Sequence, residues 1–116
     1  MILDTGETAS GDLLRHLAPL TISTLLRSFP FEGRTAYFND EMIYWPSNLV
    51  IGAERLKSEL RKGDIAFIPA SGAVAVFLKD THLARPVIHI GRLSSDVTTI
   101  SRMKPGSTIR IEEQPA

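Results

Sequence analysis

Aromatic side chains are the most concentrated chemical resource in this sequence. Six of its eight aromatic residues fall between positions 29 and 45: Phe29, Phe31, Tyr37, Phe38, Tyr44 and Trp45. Rings at that density can wall an apolar groove, and Tyr and Trp add polar tips that orient a ligand. Arg34 stands beside them, and a guanidinium near rings can donate to a carbonyl or carboxylate and stack on a face. Glu41 lies in the same stretch. The competing reading packs every ring into the core and leaves Arg34 as an exposed charge paired with Glu32 or Glu41. If the stretch runs as strands, neighbouring side chains alternate in direction. Tyr37 then opposes Phe38 and Tyr44 opposes Trp45, so one of each pair enters the core while the other faces outward or lines a groove.

The titratable groups add one candidate. His16, His82 and His89 lack the spacing of a helix-borne metal pair, so no metal site is expected. His89 sits within the apolar run Val87 to Leu93 and is either a base or ligand contact, or a satisfied structural group. The carboxylates form no catalytic pair, and Asp64 reads as the organiser of the Lys62-Gly63 turn. Neither a glycine-rich phosphate loop nor a Gly-x-Ser-x-Gly elbow occurs. No cofactor is expected. With no cysteine, thiolate catalysis and disulfides are ruled out.

The elements that must position these residues follow from periodicity. Ile22, Leu25, Leu26 and Phe29 mark one face of a helix over about 19–28, opened by Pro19 and ended by Pro30. Thr21, Ser23, Thr24, Arg27 and Ser28 should face outward. Residues 1–12 read as a loose N-terminal segment with at most one short strand. After Gly33 the texture is β. Strands at 34–38 and 41–45 flank an Asn39-Asp40 turn. Further strands are expected at 48–51, 65–69, 73–78, 87–93 and 108–112, with a loop at 80–86 and a helical turn within 94–100. Gly91 inside its strand marks a bend or bulge. The continuous apolar run at 73–78, which carries Phe77, predicts a strand packed on both faces, beneath a helix-covered wall. Residues 53–62 are ambiguous, because Ala53, Leu56 and Leu60 fit a helical stripe while the segment could equally be extended. Six to eight short strands with regular turns suggest a barrel or sandwich.

The order of these segments resembles a family of small prokaryotic cyclophilin-like proteins. The residues that carry the resemblance are Ala18-Pro19, Ser28 to Arg34, Asp40 to Trp45, Lys62 to Pro69, Ala73 to Leu78 and Val87 to Leu93. It implies a mainly β fold, a closed β-barrel of about eight strands with the 19–28 helix capping one end, and an extended 53–62. It implies no settled activity. True cyclophilins isomerise prolyl bonds with an arginine in a Phe-His-Arg-type context and a downstream tryptophan and histidine. This sequence lacks that context, and its only tryptophan, Trp45, comes early, so no catalytic residue is carried over.

Composition fits one ordinary domain over 1–116: 43% hydrophobic, 22% charged, formal net charge zero. No signal peptide or membrane-length apolar run is visible, which points to a cytoplasmic protein without a membrane partner. The charge balance argues against a nucleic-acid partner. The basic group Arg55, Lys57, Arg61 and Lys62 is interleaved with Glu54 and Glu59 and reads as a solvated surface. The leading expectation is a non-catalytic barrel that binds a small molecule or peptide through Arg34, Tyr37, Glu41, Tyr44, Trp45, Phe77 and His89. The alternatives are a prolyl isomerase-like enzyme, or an interaction module that forms a homo-oligomer, since zero net charge lowers self-repulsion.

Overall fold

Helix α1 (Pro19–Ser28) forms where the 3.6-residue stripe predicts it, in a computed structural model that describes residues 2–4 and 8–112. Ile22 and Leu25 are fully buried and anchor the helix in the main core. Pro19 occupies the first turn, but Ala18 before it offers no side-chain cap. The carboxylate of Glu54 supplies one from a distant loop, accepting the backbone amides of Leu20 and Thr21. This corrects one expectation. Thr21 is buried, not outward-facing, because its hydroxyl also donates to Glu54.

The described residues form ten strands. They are β1 (Ile2–Asp4), β2 (Thr8–Leu13), β3 (Phe31–Arg34), β4 (Ala36–Phe38), β5 (Met42–Pro46), β6 (Leu56–Leu60), β7 (Asp64–Ile68), β8 (Ala73–Phe77), β9 (Thr81–Leu93) and β10 (Thr108–Glu112). A short helix, α2 (Val97–Ser101), precedes β10 and is capped by Asp96, which accepts the Thr98 amide at 3.0 Å. The ladders are antiparallel and run β3-β10-β1-β2-β9-β7-β8-β5-β4, with β6 added on β9. The two ends of that path, β3 and β4, are chain neighbours joined through Thr35. No helix among the described residues is long and apolar enough to cross a membrane.

Several expectations need correction. Residues 2–4 and 8–13 are strands built into the sheet, whereas the sequence suggested a loose start with at most one; positions 1 and 5–7 of that segment lie outside the described residues. The expected strand at 48–51 is absent. Asn48 takes a positive φ of 61°, and the Ser47 hydroxyl donates to Gly72 O while accepting from the Leu49 amide, which turns the chain out of extended form. Arg34 closes β3, opposite Thr108 of β10, so the predicted hairpin begins only at Ala36. Of the expected loop at 80–86, residues 81–86 are extended backbone belonging to the long β9. Within the ambiguous 53–62 segment, residues 56–60 form β6, extended as the resemblance implied, while Arg55 ahead of it takes a positive φ of 48° and residue 62 enters a turn.

The sheet is buried on both faces along β5, β8 and β7. One face carries Ile43, Trp45, Phe67 and Val76 into the main core, against α1. The other carries Met42, Ala66, Ala75 and Phe77, joined by Leu60 of β6 and Val87 of β9. Full burial of β8 is therefore as its apolar run predicts. Its second cover is the β6–β9 arm, where a helix-covered wall was expected.

Candidate binding groove

The arm leaves a gap where it crosses the outer face. Lys57 pairs with Val87 and Glu59 with His82, so a two-residue step on β6 spans five residues of β9. The surplus residues, Leu83 to Pro86, bulge away from β6. Pro86 has no amide hydrogen to give the ladder, and it confines Arg85 before it to extended backbone. On the other edge, the β7 ladder stops at Phe67 with Ile88. Leu83–Pro86 thus have no partner residue in either ladder.

A groove of about 450 Å³ lies under this bulge, within the ~300–1,000 Å³ usual for small-ligand sites. It is lined by His82, Leu83, Ala84, Arg85 and Val87 of β9, by Phe38 of β4 and Met42 of β5, and by Ile68 of β7. Phe38 is half exposed, an unusual state for a large ring. Glu41 sits in the turn between β4 and β5. That turn is pinned: Asn39 has a positive φ of 52°, the Glu41 carbonyl accepts the Leu78 amide, and Asp40 pairs with Lys79 at 3.0 Å. The Lys79 ammonium holds the Asp40 carboxyl below the usual carboxylate range. Glu41 and Arg85 both line the groove, yet neither side chain forms an ion pair or hydrogen bond among the described residues.

A second concavity of about 450 Å³ lies on the far side of His82, lined by Lys57, Glu59, Arg61 and Asp80 with Leu60 and Thr81. Charges of both signs line it, and among the described residues His82 and Glu59 approach at 3.7 Å while Asp80 accepts the Lys62 amide. It offers little apolar surface to a ligand.

The structure separates the residues that the sequence grouped. Glu41 lines the groove. Tyr44 lies on the same outer face, packed against the Met42–Phe77 cluster. Phe77 is fully buried in that cluster, and Trp45 is fully buried on the opposite face. Tyr37 also faces inward, and its hydroxyl donates to the carbonyls of Ser101 and Met103. Burial pushes the Tyr37 phenol above its usual value. The alternation argument therefore holds: Tyr37 and Trp45 point in, Phe38 and Tyr44 out. Arg34 is exposed at the end of β3, away from the groove lining, and Glu32 pairs with Arg110 at 3.4 Å instead.

His89 joins a different cluster. Its Nε2 lies 2.9 Å from the Gly91 carbonyl and 3.4 Å from Asp64 Oδ1. A carbonyl only accepts, so Nε2 carries the hydrogen and buried Nδ1 is left without a partner. Asp64 also accepts the Arg61 amide at 2.8 Å and approaches Arg92 at 3.7 Å. It therefore organises the 61–64 turn, as expected. No hydroxyl hydrogen-bonds to His89 among the described residues. Nor does any group of three acidic, His or Cys side chains there form a metal site.

The sequence profile of the family described as cyclophilin-like matches residues 2–112. The chain belongs to the cyclophilin-like family. Its fold is also that of a solved relative: the solution structure of a hypothetical protein from Archaeoglobus fulgidus superposes with a TM-score of 0.79. That match covers 96% of this chain and 91% of the other at 18% identity, so it speaks for the fold alone. No curated protein matches the sequence significantly. Within this cyclophilin-like chain, sequence reasoning missed Phe38 as the groove's ring, and missed Ile68 and Leu83–Arg85 altogether. The one usable signal was the spacing of Leu83 and Val87 around Pro86, which a polar loop would not need.

Proposed function

We propose that this cyclophilin-like protein is a non-catalytic binding domain, a single unit over 1–116 whose groove beneath the β9 bulge takes a small molecule or peptide. The observation that carries the reading is the concave apolar surface of Phe38, Met42, Ile68 and Leu83, flanked by the unpaired charges of Glu41 and Arg85. A few polar groups around an apolar floor are the usual composition of a ligand site. Of the residues expected from sequence, Glu41 contacts the ligand directly in this reading. Tyr44 and Phe77 support the floor from below.

The sheet behind the groove acts as a closed barrel in this proposal, sealed by packing at the β3–β4 end. A Cβ on Gly33 of β3 would lie 3.2 Å from the Trp45 Cβ and 2.9 Å from the Pro46 carbonyl of β5. Contact that tight between strands unpaired in the ladder supports closure without a hydrogen-bonded seam.

A thermal-shift screen of metabolites and short peptides tests the function. A ligand at 100 times its dissociation constant should add about 2.7 kcal/mol. The expected hit loses its effect in Leu83→Asp, which places a charge on the groove wall. Hits that stabilise Leu83→Asp as strongly as the parent protein would overturn this placement.

A further inference from the structure

We infer that the occupant of the groove is a short apolar peptide in extended form, docked as an added strand along Leu83–Arg85; this rests on the groove being the binding site. Three features of the groove converge on that chemistry. The first is backbone. Leu83–Arg85 are extended, form one wall, and have no partner residue in the ladder to β6 or to β7. Unpartnered strand backbone beside an apolar trough is the template for strand addition.

The second feature is the floor. Phe38, Met42, Ile68 and Val87 line the groove together with this strand, giving apolar seats to the side chains that an added strand would turn inward. The third is charge. Glu41 and Arg85 line one groove with opposite signs and no ion-pair partner among the described residues. A ligand carrying one ammonium and one carboxylate matches both, and Arg85 presents the planar fork that binds a carboxylate with two hydrogen bonds. A short peptide with free ends supplies backbone, apolar side chains and both termini in one molecule. A purely apolar ligand would leave the strand wall and both charges unmet.

The test uses the full chain, labelled with nitrogen-15 and titrated with the tripeptide leucyl-valyl-leucine while amide resonances are followed. The expected result is that shifts concentrate at Phe38, Met42, Ile68 and Leu83–Arg85. Methylating the central amide nitrogen of the peptide, amidating its C-terminus, or substituting Arg85→Ala should each weaken binding about tenfold. Arg85 is exposed at the bulge, so that variant should fold, and its unchanged spectrum away from the groove checks this. Equal affinity for the parent, methylated and amidated peptides would overturn the inference. A parallel titration uses the uncharged apolar fluorophore N-phenyl-1-naphthylamine. If it shifts the same residues while the tripeptide does not, the peptide assignment falls and the groove stands. If neither shifts them, both readings fall.

Discussion

Thr21 donates both its amide and its hydroxyl to one carboxylate oxygen of Glu54, each at 3.0 Å, across 33 residues of sequence. The helix thus borrows its N-terminal cap from the loop that leads into β6, and the carboxylate also sits at the favourable end of the helix dipole.

These bonds, the Thr21 amide's foremost, hold the Glu54 carboxyl below the ordinary glutamate value. A depressed folded-state value means that Glu54 stabilises the fold above its unfolded-state value and stops doing so as pH falls through the lower one. Glu54→Ala should lower the melting temperature by a few degrees at neutral pH. The two melting curves should draw together in acid. A difference that persists unchanged to strongly acidic pH would contradict the capping role.

Glycines 91 and 52 should respond oppositely to the same substitution. A Cβ on Gly91 would lie 2.0 Å from the Asp12 carbonyl, where β9 crosses β2. Backbone cannot yield as a side-chain tip can, so Gly91→Ala should cost about 3 kcal/mol or more in urea unfolding. Gly52 has nothing within 4 Å of that position and no positive φ. Gly52→Ala should be neutral, or stabilising by up to about 1 kcal/mol.

Asp64 is nearly enclosed, with its carboxylate among the Arg61 amide, His89 and Arg92. Asp64→Ala takes the acceptor from the Arg61 amide and the carboxylate from beside His89, and should cost about 2 kcal/mol in denaturant unfolding. A loss below about 0.5 kcal/mol, the size of a surface substitution, would show that the cluster is decorative.

Tyr37→Phe removes the hydroxyl that bonds the carbonyls of Ser101 and Met103. The expected cost is about 1 kcal/mol near neutral pH. Burial raises the phenol's value in the folded state, so its contribution holds below the ordinary tyrosine value and fades as pH rises through the raised one. The gap between parent and variant should close in alkaline unfolding experiments.

The sequence made local periodicity legible and left long-range covering obscure. Helix α1 was readable because Ile22, Leu25 and Leu26 repeat at helical spacing around Pro19 and before Pro30. The split of Tyr37 from Phe38 and of Tyr44 from Trp45 followed from strand alternation alone. The cap on α1 was invisible because Ala18 offers none and Glu54 is remote. Strand β9 was cut short because Pro86 and the polar residues before it mimic a loop. That polarity belongs to an arm whose outer side faces water, while Leu60, Leu83 and Val87 turn inward.

The groove was half legible for the same reason. Glu41 could be nominated from its place among the rings. Phe38 could be assigned only to one of two faces, and nothing local distinguished the groove face from a second core. Trp45 and Phe77 attract attention as large rings, yet size is also what a core selects. Leu83–Arg85 acquire their role from the uneven pairing of β6 with β9, which no short stretch of sequence encodes.

Strand β10 lies between β3 and β1 in the sheet, although both precede it in sequence. Until it docks, both neighbours carry raw hydrogen-bonding borders. A folding intermediate without β10 is therefore adhesive at two places at once, and the arrival of that strand hides both.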